Sequence, residues 1–238
     1  MSDKAIREGF GEGLLEAGKK NDQIVGIVAD LTESTKMNFF ADKFPERFFE
    51  AGVAEQNIVT VGSGMAAMGK IPFVSSYAAF SPGRNWEQIR TTICLNDMPV
   101  KIVGSHAGIC VGPDGATHQM LEDLTLMRVL PNMIVIAPGD AIEAKNATMA
   151  IAENGKPTYI RLAREATPVF LEDKPFDMKA QILKEGQDIS LMATGTMTYH
   201  VLKVAEQLDK EGISADVLHI PVVKPLDEGA VIQSAKKS

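Results

Sequence analysis

Apolar residues recur along the chain in two alternating patterns. Spaced apolar positions typical of amphipathic helices alternate with short, continuously apolar runs typical of buried strands. The predicted helices cover residues 6–20, 55–68, 84–96, 120–130, 140–154, 198–210 and 227–234, and the predicted strands cover 24–28, 48–49, 71–74, 100–103, 133–136, 158–162, 189–193 and 215–220. Short apolar strands between helices are typical of a parallel sheet with both faces covered. The pattern therefore predicts a doubly wound α/β fold followed by a partial second α/β domain.

A segment rich in proline and charge, Pro168 to Pro175, separates the two predicted units. We expect a first domain over residues 1–168, a linker over 169–186 and a second domain over 187–238. Beyond the linker, only one strand–helix–strand unit and a short helix follow, which is too little to bury a stable sheet alone. The second domain is therefore predicted to be incomplete, in a fragment or in a naturally shortened protein.

Glu55 begins a predicted helix whose apolar residues suggest burial on nearly every side, namely Ile58, Val59, Val61, Met65, Ala66 and Met68. An acid in the first turn of such a helix has two interpretations. It can be a charge that is stabilised by the positive end of the helix dipole. It can also be a carboxyl held in apolar surroundings so that it exchanges a proton with a ligand.

Loops at the carboxyl ends of parallel strands are where such sheets bind ligands. The glycine-rich loop 104–119 contains His106, Asp114 and His118. These side chains could cap the next helix, transfer protons or recognise hydroxyl groups. Their spacing matches no metal-ligand signature, so no metal site is expected in this chain.

Two further loop features have both a structural and a functional interpretation. Tyr77 and Phe80 could pack in the core or present a stacking surface to a flat heterocycle. Arg7, Arg161 and Arg164 could form weak surface pairs or bind a phosphate, and the last two lie at the end of a predicted buried strand.

Composition narrows the possible partners. A net charge of −7 over 238 residues argues against a nucleic-acid partner, although a few arginines can still bind one phosphate. No apolar run reaches the roughly 20 residues that cross a bilayer, and the two cysteines form no motif, so a cytoplasmic protein is expected. The chain also lacks the glycine motifs that bind a diphosphate.

Several segments occur in the order found in one known family: VADLTES, FEAGVAEQN, SSYAAFSPGRNWEQIR, HAGICVGPDGATHQ, EDLTLMRVLPNMIVIAPGDAIEA and YIRLAREATP. Together they resemble the C-terminal half of transketolases, specifically those encoded as two separate subunits. The similarity extends over residues 5–235. It implies a pyrimidine-binding domain of a thiamin diphosphate enzyme.

The resemblance also implies roles for individual residues. Glu55 would hydrogen-bond the ring nitrogen of the cofactor's aminopyrimidine, Phe80 with Tyr77 would stack on that ring, and Asp30 would lie at the cofactor's edge. The remaining six would contact substrate: His106 and His118 for protons and sugar hydroxyls, Asp114 for a hydroxyl, and Arg164, Arg7 and Ser34 for the sugar phosphate.

The implied enzyme is a transketolase of the pentose phosphate pathway, which moves a two-carbon ketol unit between sugar phosphates. Its diphosphate and Mg²⁺ would be bound mainly by a partner chain, the N-terminal subunit with a GDG segment. Catalysis would then require both chains, in a heterotetramer in which this chain also self-associates.

This sequence departs from the transketolase pattern in two places. Ala54-Glu55-Gln56 replaces the usual R-E-H and matches deoxyxylulose-phosphate synthases, and Gly83 replaces a third aromatic residue. Against the synthase, His106 stands where that family carries an arginine. The alternatives are therefore a synthase-like subunit and a shortened, non-catalytic relative that acts as an interaction protein.

Overall fold

The computed structural model describes residues 2–237. Its helices are α1 (Ile6–Lys20), α2 (Asn38–Lys43), α3 (Glu55–Ala67), α4 (Trp86–Gln88), α5 (Asp123–Arg128), α6 (Ala141–Glu153), α7 (Met197–Lys210) and α8 (Glu228–Ala235). Its strands are β1 (Asp3–Ala5), β2 (Ile24–Val28), β3 (Phe48–Glu50), β4 (Ile71–Tyr77), β5 (Lys101–Ser105), β6 (Ile134–Ile136), β7 (Thr158–Arg161), β8 (Ala166–Pro168), β9 (Gln181–Lys184), β10 (Ile189–Ala193), β11 (Ala215–His219) and β12 (Val222–Lys224).

Seven strands form one large sheet in the order β12-β6-β7-β5-β4-β2-β3. Every neighbouring pair is parallel except β12 and β6, which are antiparallel. Apolar residues of α1, α2 and α6 pack against one face, and those of α3, α5 and the segment after α4 pack against the other. The predicted doubly wound α/β sheet is therefore confirmed.

Close packing of α1 on α6 depends on a residue without a side chain. A Cβ atom at Gly9 would lie 1.9 Å from the carbonyl oxygen of Ala141, the first residue of α6. The missing side chain lets the two helices approach while Phe10 and Leu14 of α1 fill the core beside them. This packing fixes the start of α1 beside the carboxyl edge of the sheet, where Arg7 lies.

Three strands form a smaller sheet in the order β10-β11-β9, packed against α7 and α8. The sequence pattern missed β9, which lies inside the range expected to be linker, and β12, which returns to the large sheet. Both strands are short, and their pairing partners, β11 and β6, are distant in sequence. Neither therefore carries a strong local signal.

Three predicted helices differ from the observed ones. The helix expected over 120–130 is the six-residue α5, and the one over 84–96 is α4 followed by a π-helical segment, Ile89–Cys94. Helix α3 is not buried on nearly every side, because Val61 and Met68 are 38% and 83% exposed. Its apolar outer face has no cover within the described chain. None of the helices in residues 2–237 is long and apolar enough to cross a membrane.

Candidate functional site

The predicted site residues all follow the carboxyl ends of strands at one edge of the large sheet, or lie at the start of α1. They are Asp30 and Ser34 after β2, Glu55 after β3, Tyr77 and Phe80 at the end of β4 and just beyond it, His106, Asp114 and His118 after β5, Arg164 after β7, and Arg7 in α1. Parallel strands end at a common edge, which is why segments far apart in sequence converge there.

Glu55 is the first residue of α3, and it is only 2% exposed. One carboxylate oxygen, Oε2, accepts a hydrogen bond from Arg84 Nη1 at 2.7 Å, and the other, Oε1, accepts one from Ser76 Oγ at 3.3 Å. Asn85 Nδ2 donates to the Glu55 backbone carbonyl at 2.8 Å and fixes this end of the helix. Glu55 is thus a buried acid at a helix N-terminus with a single charged partner.

Phe80 lies in the turn after β4, and its ring is close to two polar groups. The His118 ring meets it edge-on with 5.2 Å between centroids, and the Arg84 guanidinium carbon lies 4.8 Å from its centre. The turn also explains the missing third aromatic residue. A Cβ atom at Gly83 would lie 2.0 Å from the Ala79 carbonyl oxygen, so no side chain fits there.

The Tyr77 ring stacks on the His106 ring, with 3.9 Å between their centroids and 25° between their planes. The Tyr77 hydroxyl lies 2.6 Å from Ser34 Oγ, which is itself 3.5 Å from His106 Nε2. His106 Nδ1 pairs with Ser105 Oγ at 2.9 Å. Tyr77, His106 and Ser34 therefore form one connected cluster at the centre of the edge.

His106 is 1% exposed and adopts a left-handed backbone conformation with a φ of 58°. Burial, followed by the positive charges of Arg7 and Arg164 and the proximity of His118, lowers its pKa to about 3. The imidazole is therefore neutral near pH 7. A neutral ring donates a hydrogen bond at one nitrogen and accepts one at the other, which suits the recognition of a hydroxyl group.

Arg7 and Arg164 bring positive charge to this cluster. Arg7 Nη1 donates to the Ser34 carbonyl oxygen at 2.6 Å, while its Nε is buried with no partner among the described residues. Arg164 pairs with the neighbouring Glu165 at 2.9 Å in a partly exposed contact. Both guanidinium groups keep N–H groups that could donate hydrogen bonds to a bound anion.

Asp30 and Asp114 are exposed, and within residues 2–237 neither carboxylate has a hydrogen-bond partner. The Asp30 backbone N–H donates to Glu50 Oε1 at 2.8 Å, and that same oxygen accepts from Gly52 N at 2.9 Å. Glu50 thereby ties the loop after β2 to the turn before Glu55. In the same part of the chain, no three His, Cys, Asp or Glu side chains converge as metal ligands would.

Sequence reasoning did not identify every residue that shapes the site. Arg84, Ser76 and Asn85 surround Glu55, and Ser105 holds His106. Arg84 carried a detectable signal, because it is a charged residue in a loop at the ligand-binding edge. The other three are small polar residues, two on strands and Asn85 just before α4, and they carried none.

Comparison with known proteins places this geometry in a family. Residues 2–169 match the family described as the transketolase pyrimidine-binding domain, and residues 178–238 match the transketolase C-terminal domain. A protein of Methanocaldococcus jannaschii named as a transketolase C-terminal section is 45% identical over 235 residues, which are 97% of this chain and 74% of that protein.

Two further matches bear on the chemistry. The 1-deoxy-D-xylulose-5-phosphate synthase of Desulfotalea psychrophila is 36% identical over 96% of this chain but only 36% of its own length. A solved structure described as a split-gene transketolase in an inactive beta4 tetramer has a TM-score of 0.91 and 43% identity, covering 98% of this chain and 76% of that one.

Proposed function

The chain belongs to the transketolase family, and from this premise we propose that it is the C-terminal subunit of a split transketolase. It transfers a two-carbon ketol unit between sugar phosphates with thiamin diphosphate as cofactor. The diphosphate and Mg²⁺ are bound mainly by a partner chain that carries a GDG segment. Assembly with copies of itself is part of the proposal, which the beta4 tetramer of the split-gene relative supports.

The observation that carries the proposal is the pairing of a buried acid with an aromatic ring. Glu55 Oε2 and the Phe80 ring lie close enough that one flat group, the Arg84 guanidinium, contacts both. An aminopyrimidine is also flat, and it could accept a hydrogen bond from Glu55 through a ring nitrogen while stacking on Phe80. The residues present therefore fit the ring half of thiamin, whose bound form supplies the electron sink for moving carbon fragments.

The substrate side of the proposal uses the neighbouring cluster. His106 presents a neutral imidazole to sugar hydroxyls. The Tyr77 ring stacks on His106 and lies nearly parallel to the Phe80 ring, 6.3 Å away between centroids, and it is assigned with Phe80 to the cofactor ring. His118, against the edge of Phe80, serves as the exchangeable proton carrier. Asp114 contacts a hydroxyl, and Asp30 lies at the cofactor's edge.

The phosphate of the sugar is assigned to Arg7, Arg164 and Ser34. This assignment is supported by the free guanidinium donors and by the effect of both positive charges on His106. Arginine suits a phosphate because its planar fork donates two parallel hydrogen bonds.

The test is reconstitution with a chain that carries the GDG segment. We expect turnover of a ketose phosphate and an aldose phosphate only when both chains, thiamin diphosphate and Mg²⁺ are present. Glu55→Gln should lower kcat by at least about a hundredfold, the range typical for loss of a positioned proton-exchanging group. Glu46→Gln, at a residue whose side chain is 68% exposed and remote from the site, should leave kcat unchanged.

A second candidate, a deoxyxylulose-phosphate synthase-like subunit, is favoured by the Ala54-Glu55-Gln56 segment and by the synthase match. Pyruvate and a ketose phosphate, offered in turn as donor to the reconstituted pair, separate the two reactions. Turnover with pyruvate as donor, and none with the ketose phosphate, would favour the synthase-like subunit over the leading proposal. No turnover with either donor would leave the non-catalytic interaction protein as the better account.

A further inference from the structure

Arg84 makes the contacts that the proposed function reserves for the cofactor ring. It follows Phe80 in the same turn, where its backbone N–H donates to the Phe80 carbonyl at 2.9 Å. Its Nη1 lies 2.7 Å from Glu55 Oε2, and its guanidinium carbon lies 4.8 Å from the centre of the Phe80 ring. One side chain therefore occupies both the acid and the aromatic face.

The guanidinium group has the chemistry for this double contact. It is planar, it donates hydrogen bonds in the plane, and it stacks on aromatic rings through its face. An aminopyrimidine is planar as well, with polar groups at its edge and a face that stacks. Two such groups cannot share one oxygen of Glu55 and one face of the ring. Arg84 donates to the ionised carboxylate, whereas a ring nitrogen accepts from Glu55 only after one proton is taken up from solvent.

We propose that Arg84 is an internal occupant of the cofactor-ring site, which pairs with Glu55 until the ring enters and then moves into solvent. Arg84 is thus a positioning residue that sets the apparent affinity of this chain for the aminopyrimidine. The inference rests on the proposed function, because it takes Glu55 and Phe80 to be the contacts of the ring.

Burial explains why an occupant is needed. The Glu55 side chain is 2% exposed, and its other described side-chain donor is the Ser76 hydroxyl at 3.3 Å. A buried carboxylate that loses its charged partner is strongly destabilised. Arg84 supplies that partner whenever the ring is absent, so the empty site keeps its shape.

Exposure explains why the occupant can leave. The Arg84 side chain is 49% exposed, so its charge is rehydrated at once when it lets go of Glu55. Because half of the Arg84 side chain stays in water, this ion pair is screened more than a pair of two buried groups. A second pair at the same sheet edge, Arg161 with Asp123, is more enclosed, with side chains 22% and 0% exposed, and Tyr159 also binds that aspartate.

With competition of this kind, the apparent affinity equals the intrinsic affinity multiplied by the fraction of molecules whose site is free. If Arg84 holds Glu55 in nine molecules out of ten, removing it tightens binding by about tenfold. The probe is the free hydroxymethyl aminopyrimidine that forms one half of thiamin, since it needs only the contacts on this chain. Its binding to the full chain is followed by NMR titration.

We expect Arg84→Ala to bind this probe about three- to tenfold more tightly than the unaltered chain. Addition of the probe to the unaltered chain should also release the Arg84 guanidinium, seen as faster exchange of its Nη protons with water. Arg90→Ala is the matched control, because Arg90 is an exposed arginine of the same segment with no side-chain partner among the described residues. It should bind the probe like the unaltered chain.

Glu55→Gln distinguishes failure of this inference from failure of the proposed function. Loss of probe binding in Glu55→Gln, with no gain in Arg84→Ala, overturns the role of Arg84 and leaves the role of Glu55 in place. Unchanged binding in Glu55→Gln, or no binding by any variant, overturns both. If Arg84→Ala does not fold, Arg84→Gln replaces it, with a smaller gain expected because glutamine keeps one donor and loses the charge.

Discussion

Two of the four histidines, His106 and His219, are almost completely buried, one in the candidate site and one where the small sheet meets the large domain. Both ring nitrogens of His219 have close partners: Nδ1 lies 2.7 Å from Thr198 Oγ1, and Nε2 lies 2.8 Å from Glu143 Oε2. For His106, only Nδ1 has a close partner, and Nε2 is 3.5 Å from Ser34 Oγ.

Glu143, the carboxylate beside His219, also has a hydrogen-bond partner on each of its oxygens. Glu143 Oε2 accepts a second hydrogen bond from the Gly139 N–H at 2.7 Å, and its Oε1 accepts one from Gln181 at 3.2 Å. These contacts join α6 of the large domain to β9, α7 and β11 of the small one. Every ring nitrogen and carboxylate oxygen of His219 and Glu143 is therefore paired within the protein.

The candidate site, in contrast, is left open. The backbone is left-handed at His106, and the Nε of Arg7 has no partner among the described residues. The charged partner of the buried Glu55 is Arg84, whose side chain is half in solvent. Buried polar groups that lack good partners destabilise a fold unless something else uses them. In these two regions, complete hydrogen bonding goes with a structural connection, and incomplete hydrogen bonding goes with the candidate site.

The largest expected effect is on the closed network. His219→Ala leaves Glu143 with one donor fewer in a buried position, and it also opens a cavity. We expect the free energy of unfolding to fall by about 3 kcal/mol, because a buried hydrogen bond to a carboxylate and the packing of a buried ring are both lost. Urea unfolding of the whole chain measures it.

His200→Ala is the control, because His200 is an exposed histidine on α7. Its effect should stay within about 0.5 kcal/mol, as for most surface substitutions. Equal losses in the two variants would mean that the network does not hold the domains together.

The second prediction concerns the open site and its pH dependence. The pKa of His106 is about 3, against an ordinary value of 6.5, so between these values the unfolded chain binds a proton that the folded chain does not. Stability therefore falls as pH drops through this window, by up to about 1.4 kcal/mol per pH unit, or about 2 kcal/mol by pH 5. Above pH 6.5 this contribution is fully present.

His106→Asn should remove that slope, and asparagine also tolerates the left-handed backbone. Urea unfolding at several pH values from about 4 to 8 should show the variant gaining on the unaltered chain as the pH falls. The comparison at pH 8 isolates the loss of packing against Tyr77. Parallel curves for the two proteins would contradict the assignment of His106 as a buried neutral base.

The sequence predicts most residues of the candidate site but almost none of the network around His219. His106 and Phe80 follow strong strand signals, Glu55 follows a short one, and the edge of a parallel sheet brings such loops together. Their contacts were not predictable, because the stacking of Tyr77 on His106 and the approach of Arg84 to Glu55 depend on side-chain packing. Glu143 and His219 lie 76 positions apart on elements that look like ordinary core.

The smallest expected effect tests the outer end of the closed network. Thr198→Val keeps the shape of the side chain but removes the hydroxyl that lies 2.7 Å from His219 Nδ1, so one buried nitrogen loses its partner. The free energy of unfolding should fall by about 1 kcal/mol, the usual net value of one hydrogen bond.

Thr194→Val is a close control, because the Thr194 hydroxyl lies in the turn before α7, buried and with no partner among the described residues. Removing it should leave stability unchanged or slightly raised, since no hydrogen bond is lost and a buried polar group is removed. Urea unfolding of the two variants side by side therefore measures what the hydrogen bond between Thr198 and His219 contributes, and equal losses at both threonines would show that it contributes nothing.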